Sequence, residues 1–248
     1  MKTSKRTAKT SSAKDKARLQ DASPEHVAID CWCGESRFVP FGPDYLECLT
    51  CGTLVSQKGL SSVELQVIDD ESDYYGKQYW LNHQQQDLDY PGFEARAQSD
   101  LPERNLHWLK TLLKYRLPPA RVMELGCAHG SFVALMKQAG YVASGVEMSP
   151  WVVDYGRKTF GIDVQTGPVE ALDVAEGSLD VIALMDVMEH LPDPVRTMGH
   201  CLKLLKPDGL LLVQMPDFRE GTHYDELIAS ASVFLEQLKS DEHLYLYS

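Results

Sequence analysis

Four cysteines stand close together early in the chain, as Cys31-x-Cys33 and Cys48-x-x-Cys51, with fourteen residues between the pairs. Gly34 and Gly52 follow the second cysteine of each pair. A glycine there lets the backbone turn tightly around sulfur, and four thiolates form a closed tetrahedral site for a structural Zn2+. A unit this short has too little apolar surface to fold without such a staple. The alternative is four reduced thiols in a loop. Nothing near Met1 has the apolar centre of a secretory signal, so disulfides are not expected. Cys127 and Cys201 fall in apolar elements and read as buried thiols.

A second stretch with chemistry in it is VMELGCAHGSF, Val122 to Phe132. An apolar run carrying one acid, Glu124, leads into Gly126 and Gly130. Glycines in a strand-to-helix turn let the backbone approach a ligand closely. A dinucleotide fingerprint needs G-x-G-x-x-G, but Ala128 occupies the middle position. A phosphate-cradling P-loop is excluded, because no Gly-Lys-Ser/Thr follows. A further acid, Glu147, ends the next apolar run, where it can accept hydrogen bonds from two ribose hydroxyls. Glu124 puts negative charge beside the turn, which suits an amine and a sulfonium better than phosphates. His129, between the glycines, reads as a solvated turn residue, with a ligand-facing role as the alternative.

The surrounding pattern supplies the scaffold. LPERNLHWLKTLLKYRL places Leu106, Trp108, Leu109, Leu112 and Leu113 near helical spacing, ended by Pro118 and Pro119. RVMELG, VASGVE, IDVQTG, LDVIALMD and LLLVQMP read as five buried strands, with KPDG turning into the last. Helices fall between them: SFVALMKQAGY closing at Gly140, a Ser149-capped helix ending at Gly161, and Pro194 to Leu205. Such alternation means an α/β fold, a Rossmann-like doubly wound parallel sheet, here with a small N-terminal zinc-ribbon module.

The 248 residues carry a formal net charge of -12 and are 44% hydrophobic, enough for one full domain and a small one. Residues 1–22 hold seven Lys or Arg against two Asp, so the remainder is strongly acidic. That balance repels a phosphate backbone and favours a small-molecule substrate over nucleic acid. No apolar run reaches a membrane span, and a cytoplasmic protein is expected. The expected organisation is a disordered basic tail over 1–24, the zinc ribbon over 25–58, a Tyr-rich linker or lid over 59–100, and the sheet domain over 101–248. Oligomeric state is not legible.

Taken together, VMELGCAHGSF, VASGVEMSP, LDVIALMDVMEHLPDP and LKLLKPDGLLLVQMP resemble the class I S-adenosylmethionine-dependent methyltransferases over about Leu101 to Phe218. The likeness is to the small-molecule branch that includes the ubiquinone-biosynthesis O-methyltransferases. A ribbon fused to such a domain resembles the sugar C-methyltransferases and, more distantly, a ribosomal-RNA guanine methyltransferase group. The resemblance implies S-adenosylmethionine (SAM) as cofactor. Glu124, Gly126, Cys127 and Gly130 would hold its methionine part, Glu147 its ribose, and Met148 and Val169 its adenine, with Pro168 and Glu170 nearby. Asp186 and Val187 would lie under the sulfonium.

For the acceptor, DVMEHLPD supplies His190 as the expected general base and Glu189 as a second base or a hydroxyl ligand. The alternative for His190 is a structural cap. Tyr74, Tyr75, Tyr79, Trp80 and His83 would form either a lid over the cofactor or an aromatic patch against the ribbon. The expected function is methyl transfer to a sugar, nucleotide sugar, or phenol- or quinone-type acceptor. An rRNA base methyltransferase and a catalytically dead SAM-binding scaffold remain as alternatives. After LLLVQMP, a helical stretch YDELIASASVFLEQLK and then EHLYLYS end the chain, where relatives continue. A carboxyl-truncated form is therefore expected, with five parallel strands and an exposed, aggregation-prone edge.

Overall fold

The computed structural model describes residues 30–59, 61, 63–83, 91–219 and 221–248. The expected basic tail, 1–24, lies outside the described residues. Three short strands, β1 (Phe38–Phe41), β2 (Tyr45–Cys48) and β3 (Leu54–Ser56), form an antiparallel meander that carries the cysteines. Further on, α1 (Phe93–Asp100) passes through a π-helical turn, Leu101–Asn105, into α2 (Leu106–Tyr115). Leu109 and Leu112 are the buried face of α2, whereas Leu106 is exposed.

Five parallel strands follow: β4 (Arg121–Leu125), β5 (Val142–Glu147), β6 (Asp163–Thr166), β7 (Leu179–Met185) and β8 (Leu205–Gln214). Their order is β6-β5-β4-β7-β8. The chain winds outward from β4 in one direction, then returns and winds outward in the other. The switch point between β4 and β7 opens a crevice at their carboxyl ends. Both faces of β4 are covered. Val122 packs with Phe132, Val133, Met136 and Val181 on one side, and Met123 packs with Ile182, Leu184, Cys201 and Leu204 on the other. Strands buried on both faces read as continuous apolar runs, which is why RVMELG and LDVIALMD carry so few polar residues.

Helices α3 (Ser131–Gln138), α4 (Pro150–Phe160) and α5 (Pro194–Leu204) fill the crossovers. Ser149 Oγ accepts from the Val152 N–H and opens α4; Gly161, at φ +60, closes it. Asp193 caps α5 through the Arg196 N–H at 3.0 Å. KPDG behaves as an irregularity inside β8. Pairing to β7 jumps from Leu179↔Leu205 to Val181↔Leu210, so the four residues bulge out.

Two carboxyl-terminal features differ from expectation. The stretch read as one helix is broken into α6 (Tyr224–Ala229) and a 3-10 turn, Val233–Gln237, by Ala231 at φ +47 and a Ser232 cap. The last strand, β9 (Tyr245–Leu246), leaves the domain to which it was assigned. It pairs with β3, Leu54↔Leu246 and Val55↔Tyr245, giving a second sheet of order β1-β2-β3-β9. The sheet that carries the cysteines thus includes the chain's final residues as well as β1–β3. Among the described residues β8 pairs only with β7, and Leu211 and Val213 on it are partly exposed. No helix among them is long and apolar enough to cross a membrane.

Candidate functional site

The turn after β4 is built from three left-handed residues, Gly126 (φ +62), Ala128 (φ +48) and Gly130 (φ +80). A Cβ on Gly126 would lie 2.7 Å from Val187 Cγ2, and one on Gly130 would strike Ile162 Cδ1. Both positions therefore exclude side chains on two grounds. Ala128 tolerates the strained conformation because its N–H donates to Glu147 Oε2 at 3.1 Å. The other Glu147 oxygen accepts from the N–H groups of Met148 (2.8 Å) and Ser149 (3.2 Å). Burial pushes the Glu147 carboxyl up while these three N–H groups pull it down. Cys127 joins the turn through its backbone and a thiol contact to Ala128 O at 3.8 Å. Its N–H donates to Val146 O, and its thiol packs against Gly145 in the core.

Glu124 is 3% exposed, and its Oε2 has no hydrogen-bond partner. Burial and the nearby Glu147 hold its carboxyl well above the ordinary range. An orphaned acid at this depth is a costly arrangement that an incoming cationic donor would relieve. Met148, Pro168, Val169 and Glu170 line the same cavity beyond Glu147, with Val169 buried in a short 3-10 turn.

His129 differs from the solvated turn residue expected. It is 5% exposed, with Nε2 3.1 Å from Asp100 Oδ2 and its ring edge-on to Phe93. The partners come from a helical segment with a polar stripe that the apolar pattern alone does not reveal. Arg96, Asp100, Arg104 and Trp108 are four residues apart, and all line the cavity. That four-residue spacing along one helical face is the periodicity that could have found them. Arg104 pairs with Asp186 and stacks over Trp108, 4.8 Å from the ring centroid. Asp186 is held at φ +55 and accepts from Gln214 Nε2 at 2.7 Å. Asn105 Nδ2 donates to Ser131 Oγ at 2.7 Å, fastening the helix to the start of α3.

At the other end of the cavity, Glu189, His190 and His243 bring three acceptor atoms within 4.8 Å of one another. Glu189 is 1% exposed with Oε2 unpartnered, and burial raises its carboxyl to about 7. His190, the expected base, is a poor one here. Burial, and then the neighbouring His243, lower it to about 3. Its Nδ1 lies 2.9 Å from the Glu242 carbonyl, so Nδ1 carries the proton and Nε2 the lone pair. His243 is fixed the same way by Nδ1–H to Gln237 O at 2.7 Å, and burial lowers it too. Three acceptors converging in this way suit a substrate rich in hydroxyls, or a small cation.

Because His190 is neutral when folded, the unfolded chain takes up a proton below pH 6.5 that the folded chain refuses. Stability contributed by this group is therefore complete above about 6.5 and falls as pH drops toward 3. Urea unfolding of the wild type should lose about 2 kcal/mol between pH 7 and 5 from this group alone. A His190→Gln variant should lose correspondingly less; equal losses in the two proteins would remove the assignment.

The aromatic segment lies along the cavity and reaches the carboxyl-terminal segment. Tyr75 Oη sits 3.3 Å from His190 Nδ1, and Tyr74 Oη and His83 Nε2 reach the buried Glu242 carboxylate at 3.3 and 2.9 Å. Tyr79 and Trp80 are buried against Phe93 and Val152. Asp70 anchors the segment by accepting from Ser149 Oγ (2.7 Å) and the Trp151 N–H (2.8 Å) at the start of α4. The whole cavity holds about 1200 Å³ and runs from the glycine turn to His243 and Phe218.

In the cysteine module, Cys31 and Cys51 Sγ are 3.6 Å apart, as are Cys33 and Cys48 Sγ, and all four sulfurs lie within 4.8 Å of one another. Gly34 and Gly52, at φ +84 and +70, donate their N–H groups back to Cys31 O and Cys48 O. Two such knuckles with converging sulfurs fit a tetrahedral zinc.

Residues 97–248 match the family model described as a methyltransferase domain. Curated relatives include the ubiquinone biosynthesis O-methyltransferase of Xanthomonas campestris pv. campestris, 30% identical over 127 residues that cover 46% of this chain and 53% of the relative. The protein of the same name from Thiobacillus denitrificans is 27% identical over 161 residues, covering 62% of this chain and 68% of the relative. The chain spans about half the length of the first of these. Among solved structures, a SAM-dependent methyltransferase from Thermotoga maritima is 26% identical, covering 50% of this chain and 59% of that one at a TM-score of 0.41. Another from Methanococcus maripaludis is 15% identical, covering 58% and 68% at a TM-score of 0.46. With the family model spanning 97–248, well over half of its 248 residues, the chain belongs to the methyltransferase-domain family.

Proposed function

We propose that the chain is a SAM-dependent methyltransferase acting on a small-molecule acceptor of sugar, nucleotide-sugar, or phenol or quinone type. The observation that carries this reading is one continuous cavity, with the Gly126–Gly130 turn and Glu147 at one end and an unpartnered Glu189 near pH 7 at the other. SAM, when bound, supplies an electrophilic methyl group on a sulfonium. Glu147 is suited to accept the ribose hydroxyls, Glu124 to meet the ammonium, and Met148 and Val169 to flank the adenine. Glu189 takes the proton from the acceptor. His190 and His243, both neutral, present Nε2 lone pairs that orient acceptor hydroxyls. Tyr75 stays protonated, because burial drives its hydroxyl well above the ordinary value, and so serves as a donor. The aromatic segment, anchored through Asp70, acts as a lid that keeps water from the transfer. The acidic balance of the chain argues against an RNA acceptor.

The test is incubation with methyl-labelled SAM and a panel of sugars, nucleotide sugars and phenols. Label in one class of product supports the reading. Donor binding without label in any class would leave the scaffold alternative.

The cysteine quartet is proposed to hold one structural Zn2+. Metal analysis should find one equivalent in the wild type and none in Cys48→Ser. A full equivalent in the variant would mean that the metal sits elsewhere.

A further inference from the structure

We infer that the cysteine module is a positioning element for the proton-handling cluster, with Tyr45 and Tyr247 as the positioning residues. Its catalytic consequence rests on the methyltransferase reading; the physical coupling does not. Residues 239–248 form a strap between the two sheets, with hydrogen bonds to both sides. Tyr45, buried in β2, donates its hydroxyl to the His243 carbonyl at 3.0 Å, across 198 positions of sequence. Ser56 in β3 donates its N–H to Leu244 O at 2.9 Å and its hydroxyl to Ser240 O at 2.5 Å. Ser248 Oγ donates to Cys51 O at 2.5 Å, on one of the cysteine knuckles.

On its other side the strap grips the segment after β7. The Leu244 N–H donates to Glu189 O at 2.7 Å, and Tyr247 Oη donates to Met188 O at 3.1 Å. His190 Nδ1–H donates to Glu242 O at 2.9 Å. The apolar contacts follow the same path. Cys31, Cys48 and Val55 pack with Leu244, Tyr245 and Tyr247, and Met188 and Met215 pack against that group. Trp32, between the first two cysteines, meets the Tyr247 ring at 6.0 Å.

A two-residue strand such as β9 has no stability of its own. Its register comes from β3, and β3 is held by the knuckles. The positions of the Glu189 and His190 backbone and of the His243 ring are therefore set by β1–β3 and the cysteine knuckles, which contribute no side chain to the cluster. Displacing a reacting group by about 1 Å can cost on the order of 10²-fold in rate. This links the metal-binding module to catalysis without any metal chemistry at the active site.

The experiment uses Tyr45→Phe, Tyr247→Phe and the double variant, each keeping its ring and losing only the hydroxyl. Imidazole ¹H–¹⁵N spectra should show His190 and His243 displaced, with the exposed His107 unchanged. The amides of Leu244 and Tyr245 should exchange at least tenfold faster, and SAM affinity should stay at the wild-type value. With an acceptor in hand, kcat should fall about tenfold while KM for SAM holds. Wild-type His190 and His243 spectra and exchange rates in both single variants would overturn the inference. Displaced spectra in a protein whose wild type methylates nothing would leave the coupling standing and sink the methyltransferase reading instead.

Discussion

Glu189→Gln should lower turnover by roughly 10²–10⁴ while leaving the affinity for SAM nearly unchanged. The substitution keeps the volume and removes the only carboxylate of the cluster. The wild type should show a rate that rises with pH through about 7, where the buried Glu189 carboxyl loses its proton. Below that value the group is protonated and cannot accept; above it, the base form is complete. The rising limb should vanish in the variant. His190→Ala should retain a limb near 7, because His190 is neutral across that range. Rate measurements at constant ionic strength from pH 5.5 to 9 decide it. A limb that persists in Glu189→Gln and disappears in His190→Ala would return the base to His190.

Glu147→Ala should weaken SAM binding by about 1.5–3 kcal/mol, a loss of roughly ten- to 150-fold. Two effects add. The variant lacks the acceptor for ribose hydroxyls, and it releases the Ala128, Met148 and Ser149 N–H groups that the carboxylate now gathers. The second effect loosens a turn that already holds Ala128 at positive φ. Glu147→Gln should recover part of the loss, since its amide oxygen still accepts. Calorimetry on the three proteins gives the order; equal affinity in wild type and Glu147→Ala would take Glu147 out of the site.

The features that were legible in the sequence are local ones. Gly126, Gly130, Ser149 and Gly161 announce turns and caps through their own conformational needs, and five apolar runs fix five strands. The cysteine knuckles follow from spacing alone. What stayed hidden depends on contacts between distant segments. Nothing in EHLYLYS says that Leu246 will pair with Leu54, because a two-residue strand has no periodicity to read. His129 looks like a solvated turn residue until Asp100 arrives from a helix 29 positions earlier. The choice between Glu189 and His190 was beyond composition, since it turns on how deeply each is buried. Burial raises an acid and lowers an imidazole, so the same environment that makes Glu189 a base disarms His190. Arg96, Asp100, Arg104 and Trp108 share a four-residue spacing, but nothing in the sequence sets that stripe apart from an ordinary solvated helix face. Its ligand-facing side becomes evident only once the glycine turn is seen opposite.

The central claim is that the Gly126–Gly130 turn and Glu147 hold SAM. Calorimetric titration of the 248-residue chain with SAM and with its demethylated product tests this most directly, because it needs no knowledge of the acceptor. Saturable binding of one equivalent per chain, weakened in Glu147→Ala, is the predicted result. No heat and no saturation with either compound at millimolar concentration, in a protein shown to be folded, would contradict it.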